Sequence, residues 1–306
     1  MSVGLLIGLG ARMLQRDGVE VLVQRLSSLN VAWLAVAVLL HFLAVFAGVS
    51  RWRTLLGASG LHHAFTRLLR SFLVGRFYGA FTPSTTGLDG WRLYDIGRES
   101  GEMPRSTAVI VVEKLVGLIG MALVCAALVP LGGSELMGPS APLAAGAMAA
   151  GAFVGLWLMR RPTWLARVVQ RLPKRLHPLG ERVVDAVTRT RLNLRSTATA
   201  IGLGVISHLA LSAVFFATAR AVGLDVSTLT MLVAGNAITL AVLLPVSVGG
   251  VGVREGVAIV LLAGVGVAST DAMLVALLGY LTGQVPALFG GALTLTNQHR
   301  GVPSVA

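Results

Sequence analysis

Charge is what this sequence has least of. Asp, Glu, Lys and Arg make up 12% of its 306 residues, against about 25% in soluble domains. A chain of this size with so few charged groups has too little polar surface to stay in solution, which excludes an ordinary soluble enzyme. Cysteine is almost absent: Cys125 stands alone in an apolar stretch, so disulfides and thiolate metal sites are excluded and packing is its expected role. There is no G-x-x-x-x-G-K-[ST] loop, and "GVGVREG" has neither the third-glycine spacing nor the preceding strand of a dinucleotide fingerprint. G-x-S-x-G and H-E-x-x-H are missing, and no pair stands at metal-ligand spacing. No catalytic residue, metal or cofactor is assigned, and ATP-driven transport by this chain alone is not expected.

What the chain has instead is apolar length. Hydrophobic residues make up 55% of it and the mean hydropathy is +0.80. An all-α, polytopic membrane bundle of about six to eight helices follows, since a span needs about 20 mostly apolar residues. Clear candidates are 30–50, 106–130, 140–160, 197–221, 253–269 and 272–295. Trp33, Trp52, Trp91, Trp157 and Trp164 fall near segment ends, where interfacial anchors are ordinary. "AAGAMAAGAFVGLW" offers Gly151 and Gly155 for close helix packing. The first residues lack a basic n-region and a small-residue cleavage site, so no signal peptide is expected. Residues 1–28 form an interfacial segment, amphipathic over 11–28, before one transmembrane domain at 29–298 and a tail at 299–306.

The net charge of +12 is concentrated. Residues 160–195 hold ten basic residues opposed only by Glu181 and Asp185. Basic residues between spans mark the cytoplasmic side and also meet anionic lipid headgroups. No aromatic reader module surrounds them, so nucleic acid is not the expected partner.

Two apolar segments are irregular. "FTRLLRSFLVGRFYGAFTP" (64–82) carries Arg67, Arg70 and Arg76; 228–247 contains Asn236 and ends at Pro245. Each reads as a full span, a broken helix or a re-entrant hairpin. Each leads into the same pattern, P-x-x-x-G-x-x-G-x-R: Pro83, Gly87, Gly90 and Arg92, then Pro245, Gly249, Gly252 and Arg254, 162 residues later. Gly250 lies within the second copy. Such an internal repeat with broken helices is a mark of transporters whose site lies between the halves. Glycines let successive N–H groups converge on an anion, and arginine adds a planar fork suited to phosphate. The bland alternative is two glycine-rich turns with interfacial arginines.

Glu113 and Lys114 sit about two turns into an apolar helix. Lysine snorkels, but a buried carboxylate wants a partner, and Arg92 and Arg254 are the candidates. Glu113 then forms a structural ion pair, competes with phosphate for an arginine, or carries a proton. Asp89 and Asp95 flank Arg92 and either hold it or are solvated. His41, His208, Asn236 and Gln284 fall in apolar segments, where an isolated histidine more often joins two helices than binds a ligand.

"SRWRTLL", "FTPSTTGLDGWRLYDIGRESG", "VVEKLVGLIG" and "PVSVGGVGVREG" occur in this order. Together they resemble the lysylphosphatidylglycerol synthase transmembrane family of flippase-like membrane proteins, over roughly Arg51 to Gln298. The resemblance implies a bundle with broken or re-entrant helices that binds or moves a lipid across the inner membrane. In the best-known members a separate soluble domain makes the lipid. Only the membrane half is matched, so synthase activity is not expected of this polypeptide. Two places depart from the family's pattern: Gly87-Leu88 replaces paired glycines, and Glu113-Lys114 replaces Glu-Arg, keeping the charge without the planar fork.

The expected function is translocation of an anionic phospholipid or lipid-linked phosphate. Its substrate-binding candidates are Pro83, Gly87, Asp89, Gly90, Arg92, Glu113, Pro245, Gly249, Gly250, Gly252 and Arg254. The alternatives are a lipid-modifying enzyme using Glu113 or Asp89 as base, or a non-transporting scaffold. A separate lipid-modifying enzyme is a possible partner, and the sequence does not specify an oligomeric state.

Overall fold

A computed structural model of the chain describes residues 27–82, 86–190, 192–242 and 250–295. Every regular element among them is helical. Asn30 starts α1 (Val31–Ala58), its side chain accepting from the N–H groups of Ala32 and Trp33 at 3.1 and 3.4 Å. Those are donors that a helix start leaves open. Next come α2 (Phe65–Gly79), α3 (Thr86–Ser100), α4 (Met103–Gly132) and α5 (Ala141–Arg160). The basic loop holds α6 (Pro162–Gln170) and α7 (His177–Arg189). After it run α8 (Leu194–Val222), α9 (Thr228–Val242), α10 (Val253–Ala263) and α11 (Ser269–Leu295).

Five helices are long and apolar enough to cross a membrane: α1, α4, α5 with the turn before it, α8 and α11. Among the described residues, neither irregular segment forms a helix long enough to cross. A 15-residue arm is about 22 Å long, short of the roughly 30 Å hydrocarbon core. Instead, α2 and α3 fold back on each other: Gly79 meets Leu88 near the tip, while Arg67 meets Asp95 and Glu99 at the open end. α9 and α10 form a second hairpin. Here the expected span over 253–269 is overturned, because its helix covers only Val253–Ala263. Gly264 caps it and Gly266, at φ +78, turns the chain into α11. Five spans and two hairpins give seven membrane-embedded units among the described residues.

The order span, hairpin, span occurs twice, as α1–α2/α3–α4 and α8–α9/α10–α11. Equivalent helices begin at Val31 and Leu194, Phe65 and Thr228, Thr86 and Val253, and Met103 and Ser269. α1 and α8 run antiparallel, with the Asn30 N–H donating to the Ala221 carbonyl at 2.9 Å. The second repeat is therefore inverted relative to the first, the arrangement that many transporters share. α5 and the two basic-loop helices stand outside the repeat.

Apolar clusters follow the halves. Trp52, Leu55, Leu68, Ile96, Val109 and Val116 pack in the first; Phe215, Met231, Ile238, Leu262 and Val275 pack in the second. Lipid is as apolar as leucine, so close packing rather than water exclusion joins these helices. Gly120 packs tightly on the Gly204 backbone, and Gly290 lies against the Leu73 carbonyl, closer than any side chain permits. Gly155 packs on Ile119, whereas a side chain at Gly151 would meet nothing within 4 Å. Trp52 departs from its expected interfacial place: it is 1% exposed and lies under Arg92. Cys125 packs as expected, accepting from Asn236 Nδ2 at 3.1 Å. The amphipathic stretch 11–28 falls almost wholly outside the described residues.

Candidate functional site

Arg92, on the second arm of the first hairpin, is 3% exposed. Its Nη1 donates to Glu113 Oε2 at 2.7 Å and its Nη2 to Asp89 Oδ1 at 2.5 Å. Trp52 and Phe72 lie beneath its guanidinium at 4.8 and 5.1 Å, where the ring faces attract a cation. The other oxygen of Glu113 accepts from Arg51 Nη2 at 3.2 Å, and Lys114 pairs with Asp89. Three cations thus close on two carboxylates. Glu113 takes Arg92 and Arg51 as partners, not Arg254, and this is the structural ion pair. Asp95 holds Arg67 rather than Arg92, through bonds of 2.7 and 2.8 Å.

The second repeat is built differently. Arg254 follows the break in the second hairpin and lies 4.6 Å over the ring of Tyr280. It lines a cavity of about 280 Å³ with Arg76, His41, Thr239, Tyr280 and Gln284. Arg76 comes from the tip of the first hairpin, so the cavity lies between the repeats. Its Nη2 donates to the Gly283 carbonyl at 3.0 Å, while its Nε has no hydrogen-bond partner. Among the described residues no carboxylate pairs with Arg76.

Glu255 stands beside Arg254 at 3.8 Å but is 1% exposed, and its Oε2 accepts the Gly252 N–H at 2.6 Å. It closes the first turn of α10 as a capping residue does. Gly250 and Gly252, at φ +74 and +86, form the bend into α10; left-handed backbone of this kind suits glycine. The Gly252 N–H is thus occupied from within, as is that of Gly87, which donates to Thr82 Oγ1 at 2.9 Å. A side chain at Gly90 would meet nothing within 4 Å. Pro83, Pro245 and Gly249 lie outside the described residues.

The candidates therefore divide. Asp89, Arg92 and Glu113 come together in the first repeat; Gly250, Gly252 and Arg254 come together in the second. Arg92 and Glu113 do not line the cavity that Arg254 lines. Two histidines tie the halves in matching fashion. His41 Nε2 lies 3.1 Å from the Gly279 carbonyl, and His208 Nε2 lies 3.0 Å from the Gly117 carbonyl. Each joins the first helix of one repeat to the last helix of the other, the helix–helix role expected of such histidines.

Residues 1–290 match the family described as lysylphosphatidylglycerol synthase TM region. The chain belongs to this family. None of the curated proteins matches it. Membership makes it an integral membrane protein of a lipid-related family, in keeping with its five candidate spans among the described residues. Within this family member, the sequence reading missed Arg76 and Arg51 as site residues, along with Thr239 and Tyr280 of the cavity wall. Arg76 carried a usable signal: no acidic residue occurs between Glu20 and Asp89, so an arginine in the middle of that stretch has no local counter-charge.

Proposed function

We propose that the chain binds the phosphate headgroup of an anionic phospholipid or lipid-linked phosphate between Arg76 and Arg254, and carries it across the membrane. The lipid tails stay in the bilayer. The observation that carries this reading is Arg76, a guanidinium turned into a cavity between two inverted repeats with a carbonyl as its partner. Desolvating such a charge costs several kcal/mol unless an anion compensates it, and an ionisable group at membrane depth is a functional candidate by default. Phosphate matches the guanidinium fork. Inverted repeats with interrupted helices support movement around the site rather than binding alone.

The volume, about 280 Å³, lies just below the usual range for small-molecule sites. It suits a headgroup and not a whole lipid. We assign no bond-making step to the cavity, and movement is downhill or coupled to an ion gradient. Residues 160–195 face the cytoplasm in this reading, by the charge rule, in a bacterial-type inner membrane. A separate lipid-modifying enzyme is a candidate partner.

Proteoliposomes test it. Labelled phosphatidylglycerol should equilibrate between leaflets faster with the protein than without, and Arg76→Ala and Arg254→Ala should slow it. Wild-type protein that binds the lipid without moving it would leave a scaffold instead.

A further inference from the structure

We infer that the Arg76–Arg254 cavity selects headgroups that are anionic and carry no ammonium group, which sets an aminoacylated headgroup aside as its ligand. This deepens the proposed function and rests on its assignment of the cavity.

The two halves of the chain supply the comparison. The register that takes Arg92 to Arg254 and Gly117 to Gly279 also takes Asp89 to Val251 and Glu113 to Val275. Both carboxylates of the Arg92 centre are thus valines in the second repeat. Val275 is fully buried in the second apolar cluster, where it holds no charge against the arginines. In the first repeat every cation of the centre meets a carboxylate, and the centre is closed on itself. Among the described residues, the wall of the cavity between the repeats contains arginine, histidine, tyrosine, threonine and glutamine, and no Asp or Glu. Nor does the sequence over 83–85 or 243–249 contain one. The neighbouring Glu255 accepts the Gly252 N–H with one oxygen and holds the other 3.8 Å from Arg254, but at 1% exposure it is not part of the wall.

A phosphate entering this cavity meets two guanidinium groups and two neutral hydrogen-bonding side chains, Thr239 and Gln284. An ammonium group attached to that phosphate meets the same two guanidinium groups and no carboxylate. Like-charge contact in a water-poor site is strongly disfavoured, so recognition here excludes by repulsion as much as it attracts. The Tyr280 ring provides no refuge, because Arg254 already lies over it at 4.6 Å.

The test uses wild-type protein in detergent and four lipids of identical short acyl chains, with binding followed by native mass spectrometry. Phosphatidic acid and phosphatidylglycerol should bind roughly tenfold or more tightly than phosphatidylethanolamine and lysylphosphatidylglycerol, a gap of about 1.4 kcal/mol or more. Binding of lysylphosphatidylglycerol as tight as that of phosphatidylglycerol would overturn the inference. Inorganic phosphate displacing phosphatidylglycerol as well as phosphatidic acid does would overturn a lipid as the ligand. Arg76→Gln should erase the discrimination, and Arg76→Lys should restore most of it. Discrimination that persists in a folded Arg76→Gln protein also overturns the inference. Selective binding without translocation in vesicles would sink the transport reading alone, whereas translocation without selectivity would sink this inference alone.

Discussion

Glu113 and Val275 hold answering positions in the two halves of the fold, one bonded to two arginines and the other packed among apolar side chains. The Arg92 centre closes on its own two carboxylates, whereas Arg76 and Arg254 border a cavity between the repeats. The asymmetry assigns separate roles to two centres that share a sequence pattern. Arg92 and its partners hold the first hairpin in place, and Arg76 with Arg254 faces the cavity.

Removing Glu113 should therefore damage stability before function. Glu113→Ala leaves the buried Arg92 and the partly buried Arg51 without their shared carboxylate. Breaking one side of a buried pair costs about 3–5 kcal/mol. Unfolding of the purified protein in detergent, followed by circular dichroism, should show a loss of this size. A loss under about 1 kcal/mol, at the level of surface pairs, would remove the structural role.

Glu255 should behave as a cap and not as a ligand contact. Glu255→Ala strands the buried Gly252 N–H, at a cost of about 1–3 kcal/mol. Phosphatidylglycerol affinity at a temperature where the variant is folded should change by less than about threefold, or about 0.7 kcal/mol. A large loss of affinity in a folded variant would place Glu255 in the binding site instead.

Close packing of α2 on α11 depends on Gly290, where a methyl group would collide with the Leu73 carbonyl. Backbone does not yield as a side-chain end does, so Gly290→Ala should cost about 1–3 kcal/mol, as overpacking does. Gly151→Ala, a side chain added to open space, is the matched control and should be near neutral. Equal melting temperatures for the two variants would contradict the helix contact.

The two histidine contacts should carry comparable weight. His41→Leu and His208→Leu each remove one hydrogen bond between the repeats, and such bonds average about 0.6 kcal/mol in membrane proteins, reaching about 1.7. His41 also lines the cavity and His208 does not, so only His41→Leu should change lipid affinity. Equal effects on affinity would show that both act through the fold alone.

Much of the architecture was legible in the sequence because its causes are local. The apolar runs of α1, α4, α5, α8 and α11 exceed the membrane thickness, and the Pro-Gly-Gly-Arg echo marks the repeat. Gly266 set the limit: the apolar character of 253–269 conceals a helix that stops at Ala263, since hydropathy does not register a left-handed turn. Trp52 was read as an anchor because its position at a segment end is visible and its burial beneath Arg92 is not. The pairing of Arg92 with Glu113 was one of the pairings the sequence offered. Arg51 as the second partner depends on where α1 meets α4, a contact between residues 62 apart. Arg76 and Arg254 meet across one cavity only because the second repeat is inverted.

The central claim is that this cavity carries a phosphate headgroup across the membrane, and leaflet exchange in proteoliposomes tests it most directly. Exchange of labelled phosphatidylglycerol should be accelerated by the wild-type protein and reduced roughly tenfold or more by Arg76→Gln and Arg254→Gln, equal to about 1.4 kcal/mol or more. Gly151→Ala should exchange lipid at the wild-type rate. Exchange by both folded arginine variants at the wild-type rate would contradict the account.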